Sequence, residues 1–265
     1  MNYATQEEAM YSFKKKNADI DLIYKRANDL NLPIQVYLPE GDIHNARTVL
    51  LIHGGGWNDA IRDNSVWNGG WLANNAKYLS EKGFIAVTIS YRSILVSEEL
   101  NVGDLLEDCI DAIKYVKEHL RFIDFSNIIY MGESAGGYLS TMLGLSQDDE
   151  IRPYATISLN PVLGLLDSKW KYGFNNCSDI DSLTPIKLIG EKCSEFLFMH
   201  GTADTVVEIE YTEELHNELI KQGHKSEFIK VPDAAHAFAL YDYKSSDEYA
   251  TKIMDQIIQH IEKKF

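Results

Sequence analysis

Ser134 stands in the stretch Gly132-Glu133-Ser134-Ala135-Gly136-Gly137, directly after the apolar run Ile128-Ile129-Tyr130-Met131. A serine that attacks a carbonyl must stand clear of the backbone on a tight strand-to-helix turn. That turn tolerates only small neighbours, so glycines two before and two after the serine are a steric requirement. Gly132 and Gly136 meet it, and Tyr138-Leu139-Ser140-Thr141-Met142-Leu143 reads as the helix that follows. A bare G-x-S-x-G also occurs as an ordinary Gly/Ser turn, so its weight depends on what else the chain supplies. A serine nucleophile needs a histidine base, a carboxylate to orient the histidine, and donors for the oxyanion. His236 lies in Asp233-Ala234-Ala235-His236-Ala237-Phe238, between the last predicted strand and the last predicted helix. Asp204 lies in His200-Gly201-Thr202-Ala203-Asp204, just past the strand that ends at Met199. Asp233 is its nearest rival, but it sits only three residues from His236 on the same loop, and Asp204 is preferred.

The oxyanion donors are sought in His53-Gly54-Gly55-Gly56-Trp57. Glycines let backbone N–H groups approach a substrate oxygen with no side chain in the way, and two such donors plus that of Ala135 would surround it. His53 is expected to brace this loop by hydrogen bonds and not to act as a base.

The elements that must position these residues follow from hydrophobic periodicity. Residues 5–16 suggest a short helix; Ile20–Tyr24 and Ile34–Leu38 read as alternating strands around an Asn28-Asp29-Leu30-Asn31 turn. Thr48–Ile52 and Phe84–Ile89 are continuous apolar runs, the mark of strands buried on both faces of a parallel sheet. Helices are expected near Trp71–Lys82 and over Val102–Leu120. In the second, Leu106, Cys109, Ile110, Ile113, Val116 and Leu120 share one face, with Glu107, Asp108, Lys114 and Lys117 away from it. Further strands are Ala155–Leu159, Glu195–Met199 and Ser226–Val231. A helix spans about Glu208–Gln222, and a C-terminal helix buries Ile253, Met254, Ile257 and Ile261. Such alternation predicts a mostly parallel sheet of about eight strands with helices on both faces. No G-x-G-x-x-G spacing or P-loop lysine accompanies it.

Composition narrows the partners. A formal charge of −15 repels phosphate backbones and anionic membranes, and Lys14-Lys15-Lys16 is too short to reverse that, so neither nucleic acid nor stable membrane association is expected. Neutral or cationic substrates suit this field better than anions. Cys109, Cys177 and Cys193 are odd in number and far apart, and are read as reduced and structural. The polar start, with no apolar h-region, and the absence of a visible linker predict a cytoplasmic, soluble, single-domain protein, monomer or homodimer.

Taken together, the glycine loop, the serine turn, Ser90-Tyr91-Arg92 after a strand, Gly201-x-x-Asp204 with Val207, and His236-Ala237-Phe238 resemble the esterase/lipase branch of the α/β-hydrolases. They are similar to hormone-sensitive-lipase-like carboxylesterases and small carbohydrate esterases. The resemblance covers roughly residues 20–265. It implies the α/β-hydrolase fold, a triad of Ser134, Asp204 and His236, an oxyanion hole of the Gly55, Gly56 and Ala135 N–H groups, and hydrolysis of a small carboxylic ester without metal or cofactor. Two departures stand out: many relatives have Gly-His-Gly where this chain has Ala235-His236-Ala237, and the long N-terminal helical cap is missing. A lid must then come from residues 162–194, whose Trp170, Tyr172 and Phe174 either wall a pocket or pack that excursion onto the body. Trp57 and Trp67 are expected to border the site. The rival readings are an arylformamidase acting on N-formylkynurenine and a catalytically silent binding protein on the same fold.

Overall fold

The computed structural model describes residues 11–64, 67, 69–164 and 169–265. Eight strands form one sheet: β1 (Ile20–Ala27), β2 (Leu30–Tyr37), β3 (Thr48–Ile52), β4 (Ile85–Ile89), β5 (Ile129–Glu133), β6 (Ala155–Leu159), β7 (Glu195–Gly201) and β8 (Ser226–Val231). Their spatial order is β1-β2-β4-β3-β5-β6-β7-β8. β1, β2 and β4 pair antiparallel, and every other neighbouring pair is parallel. The chain therefore reverses its direction of travel between β3 and β5, the kind of switch point outside whose strand ends open α/β sheets bind ligands.

Burial explains why the central strands read as unbroken apolar runs. Leu50 and Ile52 of β3 belong to the core on one face of the sheet, and Val49 and Leu51 to the core on the other. Successive side chains of a strand point to opposite faces, so a strand covered on both sides can spare no position for water. The helices are α1 (Ala73–Glu81), α2 (Val102–His119), α3 (Ala135–Gly144), α4 (Ile209–Lys221) and α5 (Asp247–Lys264). Every residue of α3 is buried, which is why its sequence lacks a polar stripe.

Several expectations are corrected. The hairpin turn is only Asn28-Asp29, both left-handed at φ 51° and 59°, while Leu30 and Asn31 already pair in β2. Two consecutive positive φ values match the right-handed strand twist, and Asn and Asp tolerate them best. The expected N-terminal helix is a 3-10 turn at Ser12–Lys15, and its first part, residues 5–10, lies outside the described residues. In α2 the buried face is turned by one position: Leu105, Asp108, Cys109, Ala112, Ile113 and Val116 are buried. Asp108, placed on the outer face by its charge, is fully buried. Its carboxylate accepts the Arg92 N–H at 3.1 Å, Arg92 Nε at 2.8 Å and Nη2 at 3.0 Å, and Lys25 Nζ at 2.7 Å. A carboxylate so paired tolerates burial that would otherwise be costly. The stretch 162–194 carries three 3-10 turns, Lys171–Phe174, Asp181–Leu183 and Pro185–Lys187, with 165–168 outside the described residues. No helix among the described residues is long and apolar enough to cross a membrane.

Candidate active site

Ser134 follows β5 directly and has φ 54° and ψ −117°, a conformation that L-residues seldom adopt. The surroundings leave it little alternative. A Cβ on Gly132 would stand 2.1 Å from the Gly136 carbonyl oxygen, and one on Gly136 would stand 2.0 Å from that of Ile52. The steric reason for both glycines is thus close contact of α3 with β5 and β3. Ser134 occupies the N-cap position of α3 without capping it; its hydroxyl is turned instead to His236, with Oγ 2.9 Å from Nε2.

His236 and Asp204 arrive from the carboxyl ends of β8 and β7, which in a parallel sheet lie at the same edge as the end of β5. His236 Nδ1 donates to Asp204 Oδ2 at 2.8 Å, which leaves Nε2 as the acceptor for the serine hydroxyl. Asp204 Oδ1 takes the N–H groups of Val206 and Val207 at 2.8 and 3.0 Å. The buried His200 places Nε2 at 3.3 Å from Asp204 Oδ2. Burial alone would raise this carboxyl, but the donors from His200, His236 and Val207 outweigh it and hold Asp204 well below the usual carboxylate range. Asp233 is exposed and its N–H donates to Thr202 Oγ1 at 2.9 Å, so of the two rival carboxylates it is Asp204 that meets the imidazole.

The glycine loop leaves the end of β3 beside this cluster. Gly55 and Gly56 have φ 100° and 60°, values that glycine alone adopts without strain. Gly55, Gly56, Ser134 and His236 share a pocket of about 320 Å³ with Asp59, Trp71, Glu133, Trp170, Val206, Ala237, Leu240 and Tyr243. The Ala135 N–H belongs to the first turn of α3, whose donors have no partner within the helix. His53 Nδ1 donates to the Gly54 carbonyl at 2.8 Å, and burial lowers the imidazole to about 4, so it is a neutral brace.

The four aromatic residues expected at the site divide. Trp170 lines the pocket. Trp67 lines an adjoining pocket of about 300 Å³ that shares Asp59 and Trp71 with the first. Tyr172 reaches the loop from behind, its hydroxyl donating to the Gly56 carbonyl. Trp57 is not a wall of the pocket: at φ 60° its side chain turns inward, is fully buried among Tyr138, Trp170, Tyr172 and Phe174, and directs Nε1 at the Ala135 carbonyl. Periodicity could not have shown that turn. Glu133 was also passed over. It is buried, bonded to Asn160 Nδ2 at 2.8 Å, and 3.7 Å from His236 Nε2. Burial raises its carboxyl, with His236 and Asn160 pulling the other way. The only sequence signal for Glu133 was its place beside the serine.

The comparisons bear on the fold. The BD-FAE family model matches residues 34–163, and that of the dienelactone hydrolase family matches residues 182–261. Apo esterase 2 of Thermogutta terrifontis superposes with a TM-score of 0.77 at 23% identity, covering 94% of this chain and 96% of that one. Its propionate-bound form gives 0.76 at 23% identity over 92% and 93%. A protein of Acanthamoeba polyphaga mimivirus named as an alpha/beta hydrolase is 26% identical over 158 residues, 56% of this chain and 43% of that protein. Inactive dipeptidyl peptidase 10 of Rattus norvegicus is 24% identical over 229 residues, 79% of this chain and 28% of that protein. The chain thus covers less than half the length of these two curated relatives. The eight-stranded, mostly parallel sheet with helices on both faces is the α/β-hydrolase fold. The two family models that match the chain, each over less than half of its length, are both similar in kind to this fold.

Proposed function

We propose that the chain is a serine hydrolase that cleaves small, neutral, short-acyl carboxylic esters through an acyl-enzyme. The observation that carries this reading is the unbroken relay from Ser134 Oγ through His236 to Asp204, opening on the pocket beside the glycine loop. The Ser134 proton passes to His236 Nε2 as Oγ bonds to the substrate carbonyl carbon, and the Gly55, Gly56 and Ala135 N–H groups receive the oxyanion. Collapse breaks the ester C–O bond, and the leaving alkoxide takes the proton from His236. Water, deprotonated by the same nitrogen, then releases the acid and restores Ser134. These groups balance the reaction without metal or cofactor. The catalytic unit is one domain, with Trp170 and the described residues around it as a lid-like wall, and its odd, scattered cysteines suit the cytoplasm.

The small pocket supports a short acyl group, as do the propionate- and butyrate-bound forms of the Thermogutta esterase. The adjoining pocket brings Arg62, Asp59 and Asp63 beside Trp67 and Trp71. Mixed donors and acceptors around indole rings suit a polyhydroxylated alcohol, which supports an acylated sugar as the substrate. N-formylkynurenine carries a carboxylate, and the described lining of the catalytic pocket offers it Asp59 and Glu133 but no Lys or Arg, which favours an ester.

A fluorophosphonate should label the parent at Ser134 and spare Ser134→Ala. On nitrophenyl esters kcat/KM should peak from acetyl to butyryl, because a further methylene contributes its roughly 0.8 kcal/mol only if buried. A steady rise to palmitoyl would overturn the short-acyl reading, and silence toward every activated ester would make the chain a binding protein.

A further inference from the structure

An oxyanion donor is one end of a peptide group. Hydrogen bonds to the carbonyl at its other end decide where the N–H points and how strongly it is polarised. Behind the Ala135 N–H, the Ser134 carbonyl accepts from the N–H groups of Tyr138 at 3.0 Å and Val162 at 3.2 Å. Behind the Gly56 N–H, the Gly55 carbonyl accepts from those of Asn58 at 3.1 Å and Asp59 at 2.9 Å. The third case differs in kind. Behind the Gly55 N–H, the Gly54 carbonyl accepts from two side chains, His53 Nδ1 at 2.8 Å and the Tyr91 hydroxyl at 3.2 Å. The same hydroxyl lies 2.7 Å from the His53 carbonyl, so its one proton is shared between two consecutive peptide groups.

That difference matters because the peptide lies between two glycines. With no Cβ on either side, a peptide plane rotates at little steric cost, and only its hydrogen bonds select one orientation. Tyr91 is itself firmly held. Its ring stacks on that of His53 at 4.5 Å and 9°, its carbonyl accepts the Ile61 N–H at 3.1 Å, and Arg92 beside it is clamped to the buried Asp108. Burial also pushes the phenol far above its ordinary range, so it remains a neutral donor.

We propose that Tyr91 is a positioning residue of the oxyanion site, its hydroxyl fixing the Gly54–Gly55 peptide so that the Gly55 N–H meets the developing oxyanion. This rests on the hydrolase reading above. The oxyanion makes greater use of an aligned donor than the ground-state carbonyl does, so the effect falls on kcat and not on KM.

The test is Tyr91→Phe, with Tyr130→Phe as control, since Tyr130 is also buried and donates to a carbonyl, that of Ile151 at 3.0 Å, away from the loop. On nitrophenyl acetate, Tyr91→Phe should lower kcat about 10-fold, short of the roughly 100- to 1,000-fold typical of deleting a donor. KM should stay within about two-fold. Affinity for a trifluoromethyl ketone, which forms an oxyanion on Ser134, should fall by the same factor as kcat/KM. Tyr130→Phe should lose comparable melting temperature and no kcat. Should Tyr91→Phe fail to fold, His53→Phe keeps a ring in the stack, removes the other donor to the same carbonyl, and must show the same split. Unchanged kcat with lowered stability in Tyr91→Phe, or in His53→Phe where that replaces it, would overturn the proposal. An active Ser134→Ala would overturn the hydrolase reading instead.

Discussion

Asp204 is held by polar contacts to two backbone N–H groups and two imidazoles, whereas the serine turn is held mainly by the absence of side chains at Gly132 and Gly136. The β7–β8 side of the site is an electrostatic construction, in which a buried carboxylate keeps its charge because donors surround it. The β3–β5 side is a steric one, in which backbones approach so closely that one methyl group would displace them. Charge chemistry should therefore break the first side and volume the second.

The largest effect is expected on the electrostatic side. Asp204→Asn should lower kcat roughly 10,000-fold by presenting the wrong face to the imidazole, while Asp233→Asn changes it less than two-fold. Steady-state kinetics with circular dichroism decide this, and the reverse ranking would move the orienting role to Asp233. On the steric side, Gly136→Ala should cost about 3 kcal/mol in urea unfolding, since the intruding Cβ meets the Ile52 backbone and not a flexible side chain. Little loss would mean that α3 is free to shift.

The pH dependence of folding is smaller. Burial lowers His53 from 6.5 to about 4, so between those values the unfolded chain takes up a proton that the folded chain refuses. Stability therefore falls as pH drops through that window, by about 2 kcal/mol at pH 5. Glu133, raised by burial, acts in the opposite sense, so the measurement is parent against His53→Phe, whose acid limb should be flatter by that amount. The smallest effect belongs to Ala237, left-handed at φ 62°. Ala237→Gly should relieve the strain and, after the entropy that glycine adds to the unfolded chain, gain about 0.5 kcal/mol in urea unfolding.

What was legible in the sequence follows the same division. Steric requirements leave local marks: two glycines around Ser134, three after His53, and apolar runs where β3 and β4 are covered on both faces. Asp204 and His236 were legible because each follows a strand. Contacts supplied from elsewhere in the chain left no mark. Nothing in the spacing of α2 shows that Arg92 and Lys25 will meet Asp108, and nothing near the glycine loop shows that Tyr91 closes beneath it. Trp57 was misjudged because an aromatic after a glycine loop suits a pocket wall and a buried anchor equally well. The stretch 162–194 has no regular period, so its split between Trp170 at the pocket and Phe174 in the core depended on tertiary packing.

The four tryptophans of the chain have a consequence for how it can be observed. Trp57, Trp67, Trp71 and Trp170 all stand within the glycine loop, the two adjoining pockets or the excursion above them, and none lies in the remaining strands and helices. Intrinsic fluorescence is therefore a local probe. The acylation proposed for Ser134 should therefore register without a label as a change in emission, and near-ultraviolet dichroism will carry the coupling of the Trp57 and Trp170 indoles, 6.0 Å apart and nearly perpendicular. For the same reason, a melting curve recorded by emission reports the loosening of this corner, and it coincides with the far-ultraviolet transition only where the corner and the sheet unfold together.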